Sequence, residues 1–123
     1  MTPAVRHVLL TMEGLPANDN VTRRNNFHVV GEERKRWRRD AGMLMLPCKE
    51  PFRQATLDIV FRFKQNRRQG IDAYIGAVKP VIDAFIDRGY LEDDGWHYLI
   101  EIRARAEKGE NGFTMTLREV EIP

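Results

Sequence analysis

The residues of this chain that could do chemistry gather in one window, NRRQGIDAYIGAVKPVIDAFIDRGYLEDDGWHYL, from Asn66 to Leu99. Arg67 and Arg68 open it, Asp72 follows a glycine, Lys79 stands just ahead of an apolar stripe, and the pair Asp93 and Asp94 closes it. Carboxylates that converge in a basic setting suit a hard cation. Mg²⁺ takes one or two of them, keeps several waters, and uses phosphate oxygens from its substrate. A cation held in this way activates water and stabilises the leaving oxygen when a phosphodiester is cut. A lysine beside the scissile phosphate adds positive charge where the transition state develops negative charge. The same residues also have plain structural readings. Asp93 and Asp94 suit a solvated turn, and Asp72 suits a helix start, where the macrodipole favours an acid. Spacing alone leaves both open.

Charge is divided along the chain. Residues 1–70 carry 14 lysines and arginines against 7 acids, and residues 71–123 carry 6 against 11, so a net charge of +2 conceals halves of +7 and −5. The basic half suits a polyanion, and the acidic half suits a cation. The candidate contacts to nucleic acid are Arg23 and Arg24, the run Arg34, Lys35, Arg36, Arg38 and Arg39, and Arg67 and Arg68. Tyr74, beside Asp72, is the aromatic residue expected to stack on a base. Trp37 is expected rather to anchor its own helix.

These residues need elements to hold them. RHVLLTM alternates as a short strand, with Val8, Leu10 and Met12 on one side. Glu13 to Phe27 is rich in Asn, Gly and Pro and reads as loop. Gly31 to Leu46 reads as a helix with Trp37, Ala41 and Leu44 on its apolar face. Gln54 to Lys64 alternates as a strand whose buried face is Ala55, Leu57, Ile59, Phe61 and Phe63. Ile71 to Tyr90 reads as helical, with a stripe of Val78, Val81, Ile82, Phe85 and Ile86. Pro80 belongs in a first turn, so the main helix is expected to begin near Lys79, with IDAYIGA as a separate turn. Gly89 is the expected C-terminal cap. WHYLIEIRARA predicts a third strand with Trp96, Tyr98, Ile100, Ile102 and Ala104 on one face. KGENG is a turn, and FTMTLREVEI a fourth strand whose alternation breaks near Arg118 and Glu119, where a bulge is expected. The fold class is therefore α/β (α+β), one small domain with a mixed sheet in the order β-α-β-α-β-β.

Other chemistries find little footing. A single Cys48 forms no internal disulfide and has no catalytic setting. His7, His28 and His97 lack metal-ligand spacing. GIDAYIG is neither a phosphate-binding loop nor a dinucleotide fingerprint, so no nucleotide cofactor is expected. No apolar run is long enough to span a membrane. MTPAVRHVLLTMEG lacks the apolar core of a signal peptide, so a cytoplasmic location is expected.

The window resembles the RusA-type Holliday junction resolvases, a family common in phages and prophages, and the resemblance extends over most of the chain. Arg67 and Arg68 match the family's basic run. Lys79 with PVIDAFIDRGYLEDD matches its lysine, helix and closing acidic pair, and LPANDNVTRRNNFHVVGEERKRWRR resembles its N-terminal segment and basic helix. The resemblance implies a homodimeric, Mg²⁺- or Mn²⁺-dependent endonuclease, bacterial or phage-encoded, that nicks four-way DNA junctions in recombination and repair. It implies catalytic roles for Asp72, Lys79 and Asp94, with Asp72, Asp94 and Asp93 at the metal. Asp72 matches the second Asp of the family's Asp-x-Asp-Asn motif, with Gly70 in place of the first Asp and Ala73 in place of the Asn. In an alternative alignment Asp72 matches the first Asp and the second is lost. Either way one metal-binding carboxylate is missing. The alternative function is therefore a weakened or inactive protein that binds junction DNA on the same fold.

Overall fold

The structure, a computed structural model, describes residues 5–17, 27–65 and 70–121. In chain order they form strand β1 (His7–Glu13), helix α1 (Phe27–Met43), strand β2 (Ala55–Phe63), the one-turn helix α2 (Asp72–Ile75), a 3-10 turn (Gly76–Val78), helix α3 (Lys79–Asp87), and strands β3 (Leu99–Lys108) and β4 (Gly112–Glu119). The strands make one mixed sheet in the order β1-β4-β2-β3. β4 runs antiparallel to both β1 and β2, while β3 lies parallel to β2. A parallel neighbour requires a crossover, and α2, the 3-10 turn and α3 supply it. The result is a small single-domain α+β fold.

Period-two alternation gives the sheet two unlike faces. Leu10, Met12, Leu57, Ile59, Phe61, Phe113, Met115 and Leu117 are buried together with Val78, Val81, Ile82 and Phe85 of the crossover. Phe61, Phe85 and Phe113 are fully buried, each contributing roughly 2–3 kcal/mol of apolar transfer. Trp37 anchors α1 with its ring 5.8 Å from that of Phe113. The opposite face is polar and open, with Leu9 60% exposed and Asp58, Arg103 and Arg118 forming ion pairs across it.

α3 starts at Lys79, with Pro80 in its first turn as expected. It ends in a closed cap: the Tyr90 amide donates to the Phe85 carbonyl at 2.9 Å and the Gly89 amide to that of Ile86 at 3.0 Å. Gly89 is at φ +84°, and a Cβ there would stand 2.4 Å from the Cys48 carbonyl oxygen, so the position requires glycine on two counts.

Three expectations are corrected. α1 begins at Phe27 and stops at Met43 instead of spanning Gly31 to Leu46. Leu44 therefore lies outside the helix and is 61% exposed, while Met45 is buried. The stop is held from outside, because the Arg88 guanidinium donates twice to the Met45 carbonyl and the Tyr90 hydroxyl donates to that of Leu46. The irregularity expected near Arg118 is absent, since β4 keeps its register with β2 through Glu119. It falls in β3, where Leu99 partners Ala55 but Glu101 partners Thr56. That slip leaves Ile100 without a partner in β2, and Trp96, Ile100 and Ile102 of the expected face are all exposed.

Candidate functional site

Lys79 is the first residue of α3, and Asp83 follows one turn later on the same side. The loop from α3 to β3 brings Asp94 to the same point. Leu91, almost fully buried, anchors that loop at one end. At the other end the amides of Tyr98 and Leu99 donate to the Gly95 carbonyl, and the Ala55 amide donates to that of Tyr98. Within the loop the Asp94 amide donates to Asp93 Oδ1 at 2.8 Å, which turns the chain and aims Asp94 back at the helix. The Lys79 ammonium donates to Asp83 Oδ1 at 2.5 Å and also to Asp94 Oδ2. Two carboxylates thus converge on one cation at the entrance of α3.

Electrostatics follow from this contact. Partial burial works against the Lys79 charge, but hydrogen bonds to Asp83 and then Asp94 outweigh it, and the lysine pKa rises. The bond from Lys79 holds the Asp94 carboxyl below its ordinary value. An arginine–aspartate clamp sits on the other side of Asp83. Arg38 of α1 donates from Nε and Nη2 to both oxygens of Asp87 at 2.6 Å, and its Nη1 lies 3.8 Å from Asp83 Oδ2. That fork keeps Arg38 charged and holds the Asp87 carboxyl down.

Of the residues named from sequence, Lys79 and Asp94 are brought into contact and Asp93 shapes the turn between them. Asp72 is the exposed first residue of α2 and makes no hydrogen bond or ion pair among the described residues. A Cβ at Gly70 would stand 2.6 Å from Asp72 Oδ1. Tyr74 is a correction. Its ring is buried against Phe63 and Phe61, at 5.1 and 6.0 Å between centroids, and is not offered to a ligand. Arg38 ties the two long helices together, Arg39 pairs with Asp40, and Lys35 pairs with Glu32 on the surface. Arg34 and Arg36 are exposed, with no ion pair among the described residues. Arg23, Arg24, Arg67 and Arg68 lie outside the described residues.

Sequence reasoning missed Asp83 and the Arg38–Asp87 clamp. The Lys79–Asp83 spacing of four was a usable signal for the first. The second joins residues 49 apart, and no local pattern announces it.

Among the described residues no three His, Cys, Asp or Glu side chains gather as a metal-binding group. A hard cation of Mg²⁺ type asks for only one or two carboxylates with water completing its shell. Asp83 and Asp94 meet that requirement, at a point the Lys79 ammonium now neutralises. No protein-family model matches the chain, and a search of curated proteins finds no match.

Proposed function

We propose that this protein is a metal-dependent, structure-selective endodeoxyribonuclease of the RusA type, a homodimer that nicks four-way DNA junctions in the cytoplasm of a bacterium, encoded by the cell or by a phage. One observation supports the reading above all: the closing acidic pair folds back so that Asp94 meets Lys79 at the start of α3. Two polar residues 15 positions apart in sequence share one partly exposed point beside a second carboxylate.

In this reading the exposed arginines Arg34 and Arg36, with the basic segments around Arg23, Arg24, Arg67 and Arg68, hold the junction backbones by charge. Asp94 and Asp83, which meet at Lys79, would hold the cation, and Asp72, exposed at the start of α2, is a further candidate ligand. When bound, that cation supplies an activated water and offsets charge on the leaving oxygen. Lys79 would turn from its aspartates to the scissile phosphate and set its positive charge where negative charge develops. Asp93 fixes the turn that aims Asp94.

A second reading has its own support. Lys79 already occupies both converging carboxylates, and Gly70 and Ala73 stand where the resembled motif has its first Asp and its Asn. A protein so built binds junction DNA without cutting it.

The deciding measurement is a nicking assay on a labelled four-way junction, with and without Mg²⁺ or Mn²⁺, beside Asp94→Asn. Paired, metal-dependent nicks that fall at least about a hundredfold in the variant support the nuclease. Tight, salt-sensitive junction binding with no nicks at any metal concentration supports the binder. Neither binding nor nicking sinks both.

A further inference from the structure

β3 ends the sheet. It pairs with β2 along one side only, and its other side carries no strand among the described residues. Open edges are usually short or interrupted, because their unpaired amides and carbonyls invite another strand. β3 runs for ten residues, against a usual five or six. Its apolar residues are also displaced from the core. Ile102 partners the fully buried Leu57 in register, yet it is 42% exposed. Ile100 is 44% exposed and Trp96, just before the strand, 74%. This is an apolar margin with no cover among the described residues.

We propose that a second copy of this chain covers it, with β3 pairing antiparallel to β3 of the second copy about a two-fold axis at Ile102, so that the two sheets join edge to edge. A two-fold perpendicular to the sheet keeps the helix layer on one side and requires residues of matching parity to face one another. Charge order in LIEIRARAEK together with cover for the isoleucines then separates the possible registers: centring on Ala106 opposes Arg105 to Glu107 twice but leaves Ile100 and Ile102 beyond the paired residues. Centring on Glu101, Arg103 or Arg105 sets a charge against its own copy on the axis. Centring on Ala104 opposes Arg103 to Arg105 and Glu101 to Glu107. Centring on Ile102 brings Ile102 against itself and sets Glu101 opposite Arg103 twice. Opposite charges facing across strands stabilise and like charges destabilise. Within one chain Glu101 and Arg103 already lie 3.0 Å apart, so the joined edges make a square of alternating charge on the polar face and pair the isoleucines on the other.

A homodimer is part of the function proposed above, but this surface rests on β3 alone and its test uses neither DNA nor metal. A dimer that does not use β3 leaves the nuclease reading standing, a monomer at every concentration removes its homodimer as well, and failure to nick leaves this surface untouched. In a Cys48→Ser background, Ile102→Cys is expected to give a disulfide-linked dimer under mild oxidation, because directly opposed antiparallel residues lie about 4.5–5.5 Å apart at Cα. Ala104→Cys in the same background is expected to link far less. Light scattering of the unmodified chain is expected to show a dimer that dissociates on dilution. Ile102→Lys, at a position exposed enough to keep the fold, is expected to weaken that dimer at least roughly tenfold with an unchanged circular dichroism spectrum. A monomer at every concentration overturns the proposal. So does linkage at residue 104 equal to that at 102, or a folded Ile102→Lys variant that dimerises as before.

Discussion

At the scale of residues, Lys79 is held by the acids it would have to release. Its ammonium satisfies Asp83 and Asp94 together, so substituting it unmasks two converging carboxylates. Lys79→Met is expected to let the Asp94 carboxyl rise toward its ordinary value, read by NMR titration of its side-chain carbon. The same variant is expected to lose roughly a hundredfold or more of any nicking while gaining affinity for Mg²⁺, since the competing cation is gone. A variant with Asp94 still depressed would mean that the Asp93 turn, and not the lysine, sets that carboxyl. Lys79 and Asp94 were legible as candidates because lysine and paired acids around a helix are conspicuous. Their contact was not, because the loop that joins them is shaped by one hydrogen bond from the Asp94 amide to Asp93.

At the scale of elements, α3 was the most readable part of the chain. A proline near its start, a glycine past its end and a stripe at helical spacing all named the same segment, and the structure places it at Lys79–Asp87. Gly89→Ala is expected to cost more than about 1 kcal/mol, seen as a lower urea midpoint at unchanged slope, because the left-handed backbone and the Cys48 carbonyl both oppose a Cβ. α2 was the least readable. Four residues give too little periodicity to say which side faces inward, and Tyr74, expected to stack on a base, lies in the core. The β3 slip was hidden for a related reason. WHYLIEIRARA alternates without interruption, and only the partner strand shows that Ile100 is the extra residue. The early end of α1 depends on Arg88 and Tyr90, which are remote in sequence.

At the scale of the whole molecule, the shifted ionisable groups define a stability window. Asp87, Asp94 and Glu119 are held below their ordinary values by hydrogen bonds from Arg38, Lys79 and Arg6 respectively. A depressed carboxyl stabilises the fold above its unfolded value and loses that contribution as pH falls through its folded value. The ordinary values are 3.8 for aspartate and 4.5 for glutamate. Lys79, raised above 10.5, contributes fully below that value and loses its share as pH climbs through the higher one. The melting temperature is therefore expected to hold from near pH 5 to near pH 10 as far as these groups decide it, and to drop on either side. Asp87→Asn is expected to lower it at pH 7 and to converge on the unmodified chain near pH 2. A gap that persists at pH 2 would show that Asp87 acts by packing and not by charge.

The position of β4 between β1 and β2 has a consequence for synthesis. β1 is made first, but its only strand neighbour among the described residues is β4, which is made last. While the ribosome is still short of Gly112, β1 has no ladder to join and β2 has only β3 beside it. Completion of the sheet therefore waits for the last strand to clear the exit tunnel. A nascent chain stalled before β4 is expected to be cut readily at β1 by protease, and one stalled well beyond it to resist.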